Sequence, residues 1–219
     1  MSEVKFEKCS VEYIDHMGDD TSVVNAARVS FNKKVSAISE KDNKLLRYLA
    51  KHEHWSPFAH TSLQLRVKAP IFLARQFVKH CVGGVWNEVS RRYVNDNITF
   101  FTPLTWREKP TNAKQGSDGP VSDITAADAA WTLYNISSIS LRTYEQLISL
   151  GIAPEQARMV LPLNVMTEWY WTGSVMFWHR VYRLRIDNHA QEEAQAVARM
   201  IGDICQSRFP LSWAALTDS

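Results

Sequence analysis

The apolar period of this chain switches from two to 3.6 across a single proline, and no other stretch constrains the fold as tightly. In "TSLQLRV", Thr61, Leu63, Leu65 and Val67 alternate with Ser62, Gln64 and Arg66, the signature of a half-buried strand. In "APIFLARQFVKH", which follows at once, the spacing turns helical, with Pro70 suited to the first position of a helix running from Ala69 to Cys81. Upstream, "SEKDNKLLRYLAKH" opens on a Ser39/Asp42 cap pattern and sets Leu45, Leu46 and Leu49 on one face. Downstream, a long helix is expected from Ser122 to Leu150, closed by Gly151, with Ala127, Ala130, Tyr134, Leu141 and Ile148 along one stripe. A final helix is expected to open at Asn188, with Gln191 three residues on and Ala190, Ala194, Val197, Ile201 and Ile204 repeating. Strands and helices mix without the regular β-α-β rhythm of a doubly wound sheet, so the expected class is α+β.

With 219 residues, 45% of them hydrophobic and 11% aromatic, the chain is long enough to bury a core and is expected to be a single domain over residues 1–219. The stretch "REKPTNAKQGSDGPVSD", residues 107–123, has loop composition and is expected to be exposed. Lys and Arg number 25 against 23 Asp and Glu, a formal net charge of +2, which provides no general field for polyanions. Any phosphate recognition is therefore expected to be local. The start "MSEVKFEKCSVEY" has no apolar h-region and no run reaches the ~18 residues of a membrane span, so a cytoplasmic protein with no membrane partner is expected. Cys9, Cys81 and Cys205 are odd in number and widely spaced, which forms neither a disulfide framework nor a Cys-x-x-Cys motif.

One span is dense in donors: "ARQFVKHCVGGVWNEVSRRYV", from Ala74 to Val94. In a helix ending near Cys81, Gln76, Lys79 and His80 share its last turns, and Gly83-Gly84 let the backbone turn or approach a ligand. "NEVSRRYV" alternates as a strand does, with Glu88, Ser90 and Arg92 on one side and Val89, Arg91 and Tyr93 on the other. A hydroxyl and a guanidinium fork on one face suit a phosphate, and Glu88 suits ribose hydroxyls or ring N–H groups. The same alternation also fits a solvated, charge-balanced strand.

This span resembles the flavin-dependent thymidylate synthases. Members of that family carry Arg-His-Arg, seven residues, Ser, and then Gly-Arg-Tyr or Arg-Arg-Tyr; here Lys79-His80-Cys81 is followed by eight residues and Ser90-Arg91-Arg92-Tyr93. "DHMGDDTSVVNAARVSF", "HEHWSPFAHTSLQLRVKAPIFLARQ", "ARMVLPLNVMTEWYWT" and "LRIDNHAQEE" look like further blocks of the family, in its order and spacing. The resemblance implies one domain like that of thymidylate synthase complementing proteins, a mixed β-sheet flanked by helices. It also implies methylation of dUMP at uracil C5 to dTMP, with methylenetetrahydrofolate as one-carbon donor, reduced FAD as hydride source and NADPH regenerating the flavin. A homotetramer with active sites at subunit interfaces is implied as well. Carried over by position, Gln76, Lys79, Glu88, Ser90, Arg91, Arg92 and Arg158 would contact dUMP, and Arg185 would meet the uracil and act in catalysis. FAD would contact His54, Ser56, Lys79, His80, Cys81, Glu88, Ser174, Met176, Arg180 and His189.

The chain departs from the family pattern at several places. Lys79 and Cys81 stand where the motif has arginines, and Ser174, Met176 and Arg180 where Asn, Arg and Asn are common; Ala59 replaces a Glu. Two neighbouring activities stay open on these grounds: a flavin-dependent pyrimidine hydroxymethylase, and a dUMP-binding protein that has lost flavin. The histidines of "HEH", with His60 and His80, lack any His-Glu-x-x-His spacing, so no metal site is expected. Eight Trp are expected in core or subunit packing rather than as a nucleic-acid stacking platform, because the net charge is so small.

Overall fold

The computed structural model describes residues 3–94, 97–111 and 116–218. In chain order these form β1 (Phe6–Glu7), β2 (Ser10–Met17), α1 (Asp20–Arg28), α2 (Glu40–Lys51), β3 (Ser62–Pro70), α3 (Ile71–Phe77), β4 (Gly84–Glu88) and β5 (Phe100–Phe101). There follow α4 (Asp123–Ser149), α5 (Pro154–Ala157), β6 (Met166–Gly173), α6 (Val175–Arg185), α7 (Glu192–Arg208) and α8 (Pro210–Thr217), with short 3-10 turns at Val29–Phe31, Ser56–Ala59 and Arg158–Val160. The larger sheet has the order β2-β3-β6-β4. Strand β1 pairs parallel with β5, Phe6 opposite Phe100, and Phe100 also bridges Val165 in antiparallel sense. The class is α+β with mixed pairing, as the two apolar periods require.

The chain divides into two compact units, one of Met1–Ser10, Val67–Val78 and Glu88–Trp169, the other of Val11–Arg66, Lys79–Asn87 and Tyr170–Ser219. Strands β3 and β6 each have residues in both. The first unit is organised by a cluster of Val4, Ile98, Phe100, Leu141, Tyr144, Ala157 and Val165. Helix α4 takes part through its second half, where Ser137, Leu141 and Tyr144 are buried. Its first half is not: Ala127, Ala130 and Tyr134 of the expected stripe are exposed, as are Ile124 and Trp131.

In the second unit the alternation of β3 is realised, with Leu63 and Leu65 fully buried. Trp171 lies at the centre of an aromatic group, edge-on to Trp86, Phe177 and Trp178 at centroid distances of 5.2, 5.4 and 5.0 Å. Large rings in such edge contacts bury much apolar area, so truncation of Trp171 to Ala would cost about 3–5 kcal/mol. Glycines make room for this group, since a Cβ on Gly173 or Gly84 would overlap the Phe177 ring. Polar ties hold α6 to β3 and to the residue before it: Thr61 Oγ1 accepts from the Val175 N–H at 3.0 Å, and Trp178 Nε1 donates to the Leu63 carbonyl at 3.2 Å. The buried Asp20 carboxylate accepts from the N–H groups of Leu211 and Ser212, satisfying two orphan donors at the start of α8.

Several expected boundaries move, each for a local reason. The Ser39/Asp42 capping box is present, its Asp42 drawn further into place by Arg28 at 2.8 Å. Pro70, however, is the cap before α3 and not its first residue, because Ala69 and Pro70 stay extended at the end of β3. Helix α3 ends at Phe77 and does not reach Cys81: Phe77 is its last buried anchor, and Val78 and Lys79 face solvent, so further turns would bury nothing. The strand expected over Asn87 to Val94 stops at Glu88. Beyond it Ser90 closes a turn, its carbonyl accepting from the Tyr93 and Val94 N–H groups and its hydroxyl from Arg92, which competes with the ladder. The last long helix starts at Glu192 and not at Asn188, because Asp187 takes the His189 N–H on its side chain and the Ala190 N–H on its carbonyl. Around the expected loop at 107–123, Arg107 bridges Pro120 and Glu108 exchanges hydrogen bonds with Gly119 and Asp118, so its base is a hairpin. Residues 112–115 of that loop lie outside the described residues.

Candidate functional site

The second unit holds a pair of side chains with unusual surroundings. Arg185 ends α6, and its Nε donates at 2.9 Å to Nε2 of His80, which stands in the connection between α3 and β4. Because Nε2 accepts, the imidazole is neutral with its proton on Nδ1. Burial and the adjacent Arg185 charge push the His80 pKa down to about 4, so it stays neutral at any working pH. The ring also packs near Trp171, at 6.3 Å between centroids. Arg185 is itself half-buried, and burial lowers its pKa from the ordinary guanidinium value. A guanidinium remains cationic all the same. The outcome is a fixed, partly desolvated cation oriented by a neutral acceptor.

The residues assigned to dUMP by resemblance are distributed between the units. In the first, Ser90 and Arg92 meet directly, Arg92 Nε donating to Ser90 Oγ at 3.0 Å, and the guanidinium lies 5.0 Å from the Tyr93 ring centroid. They come together through a tight turn and not through a shared strand face. Glu88, at the end of β4, accepts from Thr167 Oγ1 at 2.8 Å. Arg91 lies close enough to the buried Tyr144 for its charge to oppose the upward shift that burial imposes on the phenol. Arg158 is exposed in the turn after α5 and holds the Glu155 carbonyl at 3.3 Å. Gln76 is half-buried on α3. Lys79 belongs to the second unit, exposed just beyond that helix.

Of the residues assigned to FAD, all but Glu88 are in the second unit. Ser174 caps α6, accepting from the Phe177 N–H at 3.2 Å, which places Met176 in the first turn and Arg180 one turn on. Met176 and Arg180 line one cavity of about 370 Å³. His54 and Ser56 are exposed around the 3-10 turn after α2, with the His54 ring 6.1 Å from Tyr48. His189 is exposed in the turn before α7. Cys81 is an exposed free thiol, Cys205 is buried as expected of a small apolar residue, and Cys9 is intermediate. No group of three or more metal-binding side chains occurs among the described residues, and no described helix is long and apolar enough to cross a membrane.

Sequence reasoning passed over Lys51, Trp55 and Arg183, which line the same cavity as Met176 and Arg180. For Arg183 a signal existed: residues 176, 180 and 183 fall at i, i+4 and i+7 of one helix. For Trp55 none did, since an indole in a loop carries no period. A second cavity, of about 780 Å³ in the first unit, is lined by Glu7, Lys68, Thr99, Leu141, Tyr144 and Glu145 among others, with Glu7 ion-paired to Lys68.

Comparison with known proteins identifies the family. A flavin-dependent thymidylate synthase of Thermus thermophilus is 38% identical over 212 residues, 97% of this chain and 77% of the relative. That of Thermotoga neapolitana is 37% identical over 209 residues, covering 95% of this chain and 91% of the relative. Among solved structures, the UMP/dUMP methylase PolB of Streptomyces cacaoi, bound with 5-Br dUMP, superposes with a TM-score of 0.88 at 28% identity, covering 99% of this chain and 97% of that one. The family model for thymidylate synthase complementing protein matches residues 12–211. With that span and those identities, the chain belongs to the thymidylate synthase complementing protein family, the flavin-dependent thymidylate synthases.

Proposed function

We propose that this chain methylates dUMP at uracil C5 to give dTMP, with methylenetetrahydrofolate as one-carbon donor, FAD as bound flavin and NADPH as the source of its reducing equivalents. The observation that carries the reading is the half-buried Arg185 guanidinium held by the neutral His80 ring at 2.9 Å, in a chain of this family. Uracil C5 is a weak nucleophile, and a fixed cation at the base edge stabilises the anionic ring form that attacks an electrophilic methylene. His80 orients the fork without adding a second charge. Gln76, Lys79, Ser90, Arg91, Arg92 and Arg158 anchor the nucleotide, their cations matching its phosphate, while Glu88 accepts from hydroxyl or ring N–H groups. In the overall balance the methylene carbon bonds to C5 as its two bonds to the folate nitrogens break, a hydride completes the methyl group, the C5 proton leaves to solvent, and the freed nitrogens take up protons so that tetrahydrofolate departs.

The donor set fits a flavin dinucleotide: Lys79 and Arg180 offer cations for a diphosphate, and Met176 offers apolar surface beside Arg180. His54, Ser56, Lys79, His80, Cys81, Glu88, Ser174, Met176, Arg180 and His189 would hold it, and when bound and reduced it supplies the hydride. Assembly as a homotetramer, one working domain over residues 1–219 and a cytoplasmic location belong to the same proposal. Exposed Ile124 and Trp131, seven residues apart on one face of α4, support assembly because such apolar side chains gain from cover.

The test is incubation of the purified protein with dUMP, methylenetetrahydrofolate, FAD and NADPH, followed by mass analysis of the nucleotide, with UMP in a parallel arm. A methylated deoxynucleotide is expected. A hydroxymethylated product, methylation of UMP alone, or dUMP binding by a protein that stays colourless after reconstitution would each overturn the reading. Light scattering that reports a monomer would remove the tetramer.

A further inference from the structure

In the first unit, the direction of the Glu88 carboxylate is set by a neighbour that no ligand assignment includes. Strands β4 and β6 are adjacent in the larger sheet, and the Thr167 hydroxyl donates across them to Glu88 Oε1 at 2.8 Å. Glu88 is exposed and Thr167 half-buried, so the tie is made at the rim of the sheet, where an unheld glutamate would sample several rotamers. Thr167 itself is well fixed. Met166 before it is buried, with its N–H on the Thr99 carbonyl at 2.9 Å, and Trp169 two residues on is buried too. A β-branched side chain on such a strand has little χ1 freedom. The donor therefore stays in place, and the carboxylate takes its direction from it through a charge-assisted hydrogen bond.

Spacing along the chain relates that direction to a sugar. The Val89 N–H meets the Glu168 carbonyl at 2.9 Å, which carries the pairing of β4 with β6 past the end of the strand and up to the turn at Ser90. Glu88 thus stands two extended residues, ~6.5 Å, before Ser90, whose hydroxyl takes Arg92 Nε. This is the scale of one pentose. A nucleotide with its 5′-phosphate on Ser90 and Arg92 brings the far edge of its sugar, C2′ and C3′, toward the carboxylate. Acceptor count then separates two sugars. A carboxylate holds a ribose diol with its oxygens side by side, one hydroxyl on each. In Glu88 one of those oxygens already takes the Thr167 proton. Deoxyribose, with a single hydroxyl at C3′, needs only one arm of the fork. Ribose brings a second hydroxyl that must displace Thr167 or go without a partner, and a desolvated donor without a partner lowers affinity.

We infer that Thr167 determines sugar specificity: by engaging Glu88 Oε1 it sets the carboxylate to accept one sugar hydroxyl rather than two, and so favours deoxyribose over ribose nucleotides. The inference rests on the dUMP reading above. Thr167 acts through Glu88 and is a positioning residue. It adds a choice of sugar to a site whose phosphate anchors, Ser90 and Arg92, do not discriminate between the two.

The experiment is isothermal titration of dUMP, UMP and 2′,3′-dideoxyuridine monophosphate, in the presence of FAD, into the full chain and into Thr167→Val, Thr167→Ser, Glu88→Gln and the Glu88→Gln/Thr167→Val double variant. The parent is expected to favour dUMP over UMP by roughly tenfold or more, and Thr167→Val to narrow that preference at least about fivefold. Thr167→Ser, which keeps the hydroxyl, retains it. The dideoxynucleotide offers Glu88 no hydroxyl and is expected to bind the parent and Thr167→Val alike, which also reports an intact fold. In the Glu88→Gln background the valine substitution is expected to leave the preference where it was, because Thr167 acts only through that carboxylate. Equal binding of UMP and dUMP by the parent, an unmoved preference in Thr167→Val, the same narrowing in Thr167→Ser, or a further change in the double variant would each overturn the inference. If the parent binds neither nucleotide, the dUMP reading falls and the inference with it. If the parent binds and methylates dUMP while Thr167→Val discriminates as the parent does, the inference falls alone.

Discussion

The two units differ in the residues that the family resemblance assigns to ligands. The first carries Gln76, Glu88, Ser90, Arg91, Arg92 and Arg158, and none of these departs from the family pattern. The second carries every departure, at Ala59, Lys79, Cys81, Ser174, Met176 and Arg180, and all seven histidines of the chain. Guanidinium forks at a phosphate make paired, directional hydrogen bonds, so lysine or a neutral residue cannot replace them without loss. A diphosphate and flat rings demand total charge and stacking area, which several side-chain sets provide. On the proposed roles, that difference would account for departures concentrated in one unit while the other keeps its arginines.

The largest expected effect tests whether the chemistry lies with Arg185. Arg185→Ala is expected to lower turnover on the order of 10²- to 10³-fold at saturating dUMP, the range for loss of one preorganised charge donor. Steady-state kinetics across dUMP concentration checks this. Full recovery at high dUMP would place Arg185 with the anchors, since an interaction made only in the transition state is not titrated away.

Arg158, in the first unit, is expected to behave in the opposite way. Arg158→Ala should weaken dUMP binding by about 1.5–3 kcal/mol, on the order of 10- to 100-fold, with turnover largely retained once the site is filled. Equilibrium titration with dUMP and a separate kcat measurement distinguish the two variants. Equal behaviour of Arg158→Ala and Arg185→Ala would erase the contrast between the units.

Acid should also act unequally. His80 and His179 both have pKa values near 4 in the folded chain against 6.5 when unperturbed. The unfolded chain therefore binds more protons between those values, so their stabilisation is complete above pH 6.5 and declines as pH falls toward 4. Allowing for the solvent that reaches both rings, a loss of about 1 kcal/mol by pH 5 is expected, lowering Tm by about 2–4 °C. Hydrogen exchange at pH 5, corrected for intrinsic rates, should show protection falling first in the second unit. Uniform loss across both units would break the comparison.

Much of this was legible before the fold was known, though not evenly. Period-two alternation fixed β3, and the Ser39/Asp42 cap fixed the start of α2, because both depend on neighbours in sequence. The ends of α3 and β4 were not legible. They depend on where buried contacts stop and on Ser90 capturing its own turn, competitions that a periodicity cannot rank. The contact of Arg185 with His80, 105 residues apart, left no local trace either: His80 entered through the donor-dense span, Arg185 only through resemblance. Trp55 was invisible for the same reason: its significance comes from Arg180, which reaches it from another element.

The smallest expected effect concerns Cys81. A thiol beside a lysine and a histidine invites comparison with nucleophilic sites in which imidazole takes the thiol proton. Here that route is closed at one nitrogen, because His80 Nε2 already accepts from Arg185, and Nδ1 carries the ring proton. The thiol is exposed in a turn, and the resemblance sets it at a flavin contact rather than at uracil C6. Cys81→Ala is therefore expected to keep dUMP-dependent tritium release from C5 within a few-fold of the parent, less than the ~1.4 kcal/mol of a tenfold barrier change. Neither protein is expected to form an adduct with 5-fluoro-dUMP through this residue. A fall of several orders of magnitude with FAD still bound, or a Cys81 peptide carrying the fluoronucleotide, would move the nucleophile into the second unit. Activation of uracil would then be covalent, and the role given to Arg185 would have to be withdrawn.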